Sequence, residues 1–325
     1  MRLANEYFRF FDNRIAEGIT TTGQYIVQYV ARAVNVYLNE VCETDNYDYA
    51  FYADTDSVYI TFDKLVNKFF KNKSKLETVN LLDKVCEERV SKIIDKACRE
   101  IFDYTHAFEE KIFFKREAIA DSGIWVAKKR YALNVFDNEG VRYESPKLKV
   151  MGLEIVRSST PEVIRKALKE GVALALSGTE QDMQDFIARE ETAFMKLNPE
   201  DIAFPRSVNG LAKYQSHTEI YTKGTPMHVR GALLYNNQLK KLNLTKKYVT
   251  IKEGDKIKFL YLKEPNYLRE NCIGFASSLP KEFELKKLVD YNMMFEKTFI
   301  DPLAAILNCI GWTTKPVATL EGLFS

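Results

Sequence analysis

The sequence predicts an α+β protein: an antiparallel sheet with packed helices, followed by a mainly helical second part. Three observations carry this expectation. Two runs rich in aromatic and β-branched residues, Tyr49–Tyr52 and Val58–Phe62, flank a short polar link. Long stretches with apolar residues at helical spacing lie on either side of that pair. Past Leu153, helix starts and stops replace the strand pattern. A chain of 325 residues can bury a sizeable core and hold two domains. The expected division is 1–152 and 153–315, with a short tail at 316–325.

Taken in order, Thr20 to Val41 reads as a helix, because Tyr25, Tyr29, Val30, Ala33, Val34, Tyr37, Leu38 and Val41 recur at helical intervals. The hairpin follows. From Leu76 to Phe102 the amphipathic pattern returns, with Val79, Leu82, Val85, Cys86, Val90, Ile93, Ile94, Ala97, Cys98 and Ile101 as core candidates. Residues 111–152 read as strands and turns, with Asp137-Asn138-Glu139-Gly140 turning the chain between Val135 and Tyr143. Thr160-Pro161-Glu162 marks a helix start, and that helix should run to Gly178. Another begins near Thr179, where Asp182 completes a capping arrangement, and stops before Asn198-Pro199. The remainder mixes short strands with a final helix expected from about Glu282 to Cys309.

Chemistry concentrates at two places. Tyr52-Ala53-Asp54-Thr55-Asp56-Ser57 sets two carboxylates on one turn, where repulsion makes them costly unless a cation arrives. A hard divalent ion with oxygen ligands, Mg2+, is the natural partner. A bare Asp-x-Asp at a turn is more often a solvated Asx-turn, and that alternative stands beside the metal one. Lys128-Lys129-Arg130-Tyr131 then puts three adjacent cations ahead of a strand. Such a cluster suits backbone phosphates, with Tyr131 against a sugar or base edge; a solvated basic face is the alternative.

Net charge is only +2, so a nucleic-acid surface has to be local, and the stretch from Lys111 to Lys169 is the basic region. Five cysteines, odd in number and without metal-ligand spacing, read as free thiols of a reducing cytoplasm. No signal peptide or membrane-length apolar run is read, so a soluble protein with no membrane partner is expected.

Together and in this order, the two motifs resemble those of family B DNA polymerases, most closely the replicative enzymes of T-even-like tailed bacteriophages. The hairpin resembles that family's Tyr-Gly-Asp-Thr-Asp-Ser motif, with Ala53 where Gly is usual. The basic cluster resembles its Lys-Lys-Arg-Tyr element. Further matches are Phe8-Arg9-Phe10-Phe11-Asp12, Arg116-Glu117-Ala118-Ile119-Ala120, Ser158-Ser159-Thr160-Pro161 and His228-Val229-Arg230-Gly231.

The resemblance implies that residues 1–152 are the later part of a polymerase palm, preceded by the last residues of the fingers, and 153–315 a thumb. It implies two-Mg2+ nucleotidyl transfer to a primer 3′-hydroxyl, with Asp56 as direct metal ligand and Asp54 tuning the site. Lys129 would approach the primer terminus and the incoming dNTP, and Asp137 would hold neighbouring basic residues, plain turn chemistry being its alternative. Lys128, Lys129, Arg130 and Tyr131, then Arg157, Arg165 and Lys166, would contact primer–template DNA. Glu117 resembles an accessory palm carboxylate or is an ordinary surface residue; Lys115, where relatives carry Asp, departs from the pattern. Leu320, Leu323 and Phe324 would dock a sliding clamp or fold back on the thumb.

The earlier palm motif, the fingers helix and an exonuclease segment are not read in this chain. Two functions follow. In one, the chain is the C-terminal piece of a split or truncated polymerase, inactive until joined to an N-terminal fragment in the cytoplasm of an infected bacterial host. In the other, it is a non-catalytic module that binds duplex DNA and a clamp.

Overall fold

The structure is a computed structural model describing residues 2–216 and 219–316. It bears out the α+β expectation: the described residues form helices and three small sheets, ordered β1-β2, β3-β4-β5 and β6-β7-β8. The chain forms two compact units, Met1–Asp121 with Asn134–Lys147, and Ser122–Leu133 with Leu148–Ser325.

The first unit is built on one long helix, α1 (Asn13–Cys42). It starts a full two turns before the expected Thr20, because Asp12 accepts from the backbone N–H groups of Arg14 and Ile15. Its buried residues Ile26, Val30, Val34, Leu38 and Cys42 recur every four positions and form the core seam. Strands β1 (Tyr52–Asp54) and β2 (Ser57–Tyr59) come next, followed by the short helix α2 (Asp63–Phe69). The amphipathic stretch is one rod: α3 (Lys75–Val85), a wide π turn over Cys86–Val90, and α4 (Ser91–Thr105). Ser74 and Glu77 form a capping box at its start. Val79, Leu82, Ala97, Cys98 and Ile101 bury their side chains with the α1 seam, as their spacing predicts.

A meander follows: β3 (Ala118–Ala127), β4 (Arg130–Asn138) and β5 (Val141–Met151). The strand Phe136 and Ile119 belong to the first unit's core, Ile124 and Ala132 to the second's. Glu139 and Gly140 make the β4–β5 turn, both at positive φ, as the Asp-Asn-Glu-Gly signal predicts.

In the second unit, α5 (Glu162–Ser177) and α6 (Glu180–Phe194) lie where the sequence places them. The Thr179–Asp182 capping box is present, but Thr160 does not cap α5: Pro161 occupies that position with no side-chain bond. Short helices α7 (Pro199–Ile202) and α8 (Leu211–Tyr214) flank β6 (Phe204–Ser207). Strand β7 (Lys256–Tyr261) pairs antiparallel with β6 and with β8 (Cys272–Phe275). Helix α9 (Met227–Lys241) was not anticipated. Its Gly231 breaks the apolar rhythm, yet it is what lets the helix backbone meet β8: a Cβ there would lie 2.7 Å from the Gly274 amide nitrogen.

The last helix is also shorter than expected. It begins at Tyr291 rather than Glu282 and comprises α10 (Tyr291–Phe295), a π turn over Glu296–Ile300, and α11 (Asp301–Leu307). The preceding residues are drawn to the sheet instead, where Lys263 N–H donates to the Leu288 carbonyl and Asp290 N–H to that of Tyr261. Asp290 then caps the helix by accepting from Met293 N–H.

Gly231→Ala should lower stability by at least about 2 kcal/mol, overpacking outweighing the better helix propensity of Ala. Urea unfolding measures it. An unchanged midpoint would mean that α9 shifts off β8 without cost.

Candidate functional site

The hairpin is shorter than the flanking sequence implies. Only Tyr52↔Tyr59, Ala53↔Val58 and Asp54↔Ser57 pair, leaving a two-residue turn of Thr55, at φ +55°, and Asp56. Asp54 is half-buried and accepts a hydrogen bond from Thr55 Oγ1 at 2.9 Å, while its carbonyl accepts from Ser57 Oγ at 3.1 Å. Asp56 is exposed at the tip. Although its flanks are rich in aromatic and β-branched residues, the hairpin's residues are half-buried or exposed, since three-residue strands leave both faces partly wet.

What orders the segment entering the hairpin is polar. Asn39 of α1 donates Nδ2–H to the Tyr47 carbonyl at 2.8 Å and accepts Tyr47 N–H at 2.9 Å. Asn35, one turn earlier, accepts Ala50 N–H at 2.8 Å and donates to Asp48 Oδ1 at 2.8 Å. Tyr49 between them is fully buried, its hydroxyl 2.8 Å from Thr44 Oγ1, and its carbonyl takes Thr61 N–H. Two side-chain amides thus mimic a neighbouring strand for the segment that enters the hairpin. Sequence reasoning passed over this pair. Its signal is two asparagines at i,i+4, each next to a core residue of the helix (Val34, Leu38).

Asp54 and Asp56 offer Mg2+ the right kind of donor, hard carboxylate oxygens on one turn. Among the described residues, however, no group of three or more His, Cys, Asp or Glu side chains forms a metal cage. The pair therefore fits part of a hexacoordinate shell, the remaining oxygens coming from water, substrate or other protein. Glu117 lies exposed just before β3, its backbone carbonyl accepting Glu139 N–H, and it does not complete a three-carboxylate group with the hairpin.

Lys128 and Lys129 form the β3–β4 turn, both exposed, with Lys129 at φ +61°. Gly152, at φ +64°, backs this turn so closely that a Cβ there would sit 2.1 Å from the Lys129 carbonyl oxygen. Arg130 points elsewhere: its Nη2 reaches both Glu154 oxygens, at 3.0 and 2.9 Å. Arg157 shares Glu154 at 3.4 Å and donates to the Gly152 carbonyl at 3.1 Å. Tyr131 is 5% exposed and stacks on Trp125 at 5.9 Å, so its ring is packed within the protein. On α5, Arg165 is half-buried and Lys166 pairs with Glu162 at 3.0 Å. The three tail positions Leu320, Leu323 and Phe324 lie outside the described residues.

Asp137 is fully buried on β4 and joins a four-charge cluster. It hydrogen-bonds Arg116, accepts Gly140 N–H at 3.0 Å, and lies 3.0 Å from Arg142 Nε in a charge contact without good hydrogen-bond direction. Asp83 of α3 takes the other ends of Arg116 and Arg142, each at 2.8 Å. Burial opposes the Arg116 charge, but the Asp137 hydrogen bond and the two carboxylates outweigh it and raise the guanidinium above its ordinary value. Turn support and the holding of basic residues thus meet in one side chain. Burial also pushes the Cys86 thiol up to about 11 and raises Cys98 and Cys272, which disfavours their thiolate forms. Among the described residues no helix is long and apolar enough to cross a membrane.

No protein-family model matches the chain. It is 39% identical over 336 residues to the DNA-directed DNA polymerase of Escherichia phage RB69. It is 36% identical over 338 residues to that of Enterobacteria phage T4. Each match takes in 99% of this chain, which spans about 37% of the length of these relatives. The likeness to T-even-like phage polymerases carried by the motifs is borne out.

Asp137→Ala would leave two half-buried guanidinium groups short of their buried carboxylate and should cost about 3 kcal/mol, the low end for breaking a buried pair. Denaturant unfolding reads the loss; a change under 1 kcal/mol would show that Asp83 and water suffice.

Proposed function

We propose that this chain is the C-terminal part of a DNA-directed DNA polymerase and carries one share of its active site. The observation that carries this reading is the Asp54–Asp56 turn, held on α1 by Asn35 and Asn39, in a chain alike along its length to phage polymerases. In this reading residues 1–152 are the end of the fingers and the later palm, 153–315 the thumb, and 316–325 a tail that meets a sliding clamp.

Phosphoryl transfer asks the protein mainly for positioning and charge neutralisation. Asp56 and Asp54 would hold Mg2+, which when bound activates the primer 3′-hydroxyl and neutralises the leaving pyrophosphate. Asp54 is oriented by Thr55, and the short turn keeps Asp56 presented to solvent. Lys128 and Lys129, exposed on a turn backed by Gly152, would meet DNA phosphates and the charge of a dNTP. Arg130 and Arg157, bound by Glu154, shape that surface and supply charge at its edge. Asp137, Arg116 and Arg142 support the β4–β5 turn and tie it to α3. The missing metal ligands and the nucleotide pocket would come from the part of the polymerase that this chain does not span.

Primer extension in Mg2+ is expected only when this chain is combined with the remaining polymerase segment, and Asp56→Ala should slow it more than about 100-fold, beyond what outer-shell partners alone are worth. Extension by the chain alone, or an unimpaired Asp56→Ala mixture, would overturn this assignment. For duplex binding, Lys128→Ala with Lys129→Ala should reduce the log–log salt slope by roughly 1.8, at about 0.9 per phosphate contact. Filter binding across a salt series measures it, and an unchanged slope would remove both lysines from the interface.

A further inference from the structure

The apolar seam of α1 does not stop where its cover stops. Ile26, Val30, Val34 and Leu38 are buried at four-residue intervals inside the first unit. Seven and eleven residues before Ile26, close to whole turns of the helix, Ile19 and Ile15 continue the same stripe. Yet Ile15 is 53% and Ile19 52% exposed, and in the first three turns of the helix only Ala16 is buried. Nothing lies within 4 Å of where a Cβ on Gly18 or Gly23 would stand, so that end of the helix projects without neighbours on those sides too. A helix of 30 residues with a core seam along its whole length, covered over only its second half, is a packing surface lacking its partner.

We infer that the exposed stripe at Ile15 and Ile19 is the docking surface for the part of the polymerase that this chain does not span. The inference rests on the polymerase reading. Two facts select this occupant over a second copy of the chain. The stripe is continuous with an existing core seam, so its cover completes an intramolecular-type core rather than a symmetric patch. The relatives are well over twice as long as the matched region, so a large polypeptide of the same assembly is available to supply that cover. The exposed Tyr7 and Phe10, just ahead of α1, add aromatic anchors of the kind that dominate interface energetics.

The test mixes the 325-residue chain with the remaining polymerase segment from the same source, expressed separately and tagged, and measures affinity by biolayer interferometry. Ile15→Asp with Ile19→Asp should weaken association about 100-fold, ten-fold for each lost anchor. Val36→Asp, exposed on the same helix but off the stripe, should leave it unchanged. Because Ile15 and Ile19 touch little in the chain itself, circular dichroism should show both variants folded. Hydrogen exchange on the wild-type mixture should show new protection at residues 13–25. Association and primer extension that survive the double substitution, without that protection, overturn the docking surface and leave the polymerase reading standing. No association of the wild-type pair overturns both. Self-association of the chain that the same substitutions abolish would give the stripe to a second copy and overturn the inference.

Discussion

The geometry of the first unit depends on two asparagine side chains. Asn35 and Asn39 sit one turn apart on α1 and pair the backbone of Tyr47 and Ala50 as an adjacent strand would. Strands of three residues cannot position a turn by themselves, because an isolated two-stranded hairpin is marginal in water. The amides transfer that task to a helix with a buried seam, and Tyr49 locks the link by filling the core between them. The two carboxylates therefore inherit the rigidity of α1 rather than that of a sheet.

Charge is used in two opposed ways. Around Asp137 it is internal: Arg116 and Arg142 each span from Asp137 to Asp83, tying two strand ends to α3. Such a cluster contributes little beyond its desolvation cost, but losing one member is expensive, so it specifies an arrangement more than it stabilises one. At the β3–β4 turn the lysines point outward on a backbone held by Gly152, and Glu154 gathers Arg130 and Arg157 beside them. Exposed cations on a fixed turn attract a polyanion.

Much of this was legible in the sequence. Regular apolar spacing gave the rod from Lys75 to Thr105, and capping chemistry gave the start of α6 at Thr179. The failures have physical causes. Helix α9 hid behind Gly231, a residue chosen for backbone contact and not for helix propensity. The final helix was read too early because Lys281–Leu288 makes only two short 3-10 turns before Leu288–Asp290 pair beside the end of β7, a tertiary preference invisible to local pattern. In the site, Asp-x-Asp and Lys-Lys-Arg-Tyr stand out as motifs, whereas Asn35, Asn39 and Arg116 are ordinary residues until folding brings them to their partners. Tyr131 marks the reverse case: a motif residue whose ring is packed against Trp125 rather than presented.

The most direct test of the account is whether the hairpin tip attracts a divalent cation in solution. Mn2+, a paramagnetic stand-in for Mg2+, would be titrated into the isotope-labelled chain while amide line widths are followed by NMR. The account predicts broadening that starts at Asp54–Ser57 and disappears when both aspartates are replaced by asparagine. Broadening centred on other carboxylates, or unchanged by that replacement, would contradict it.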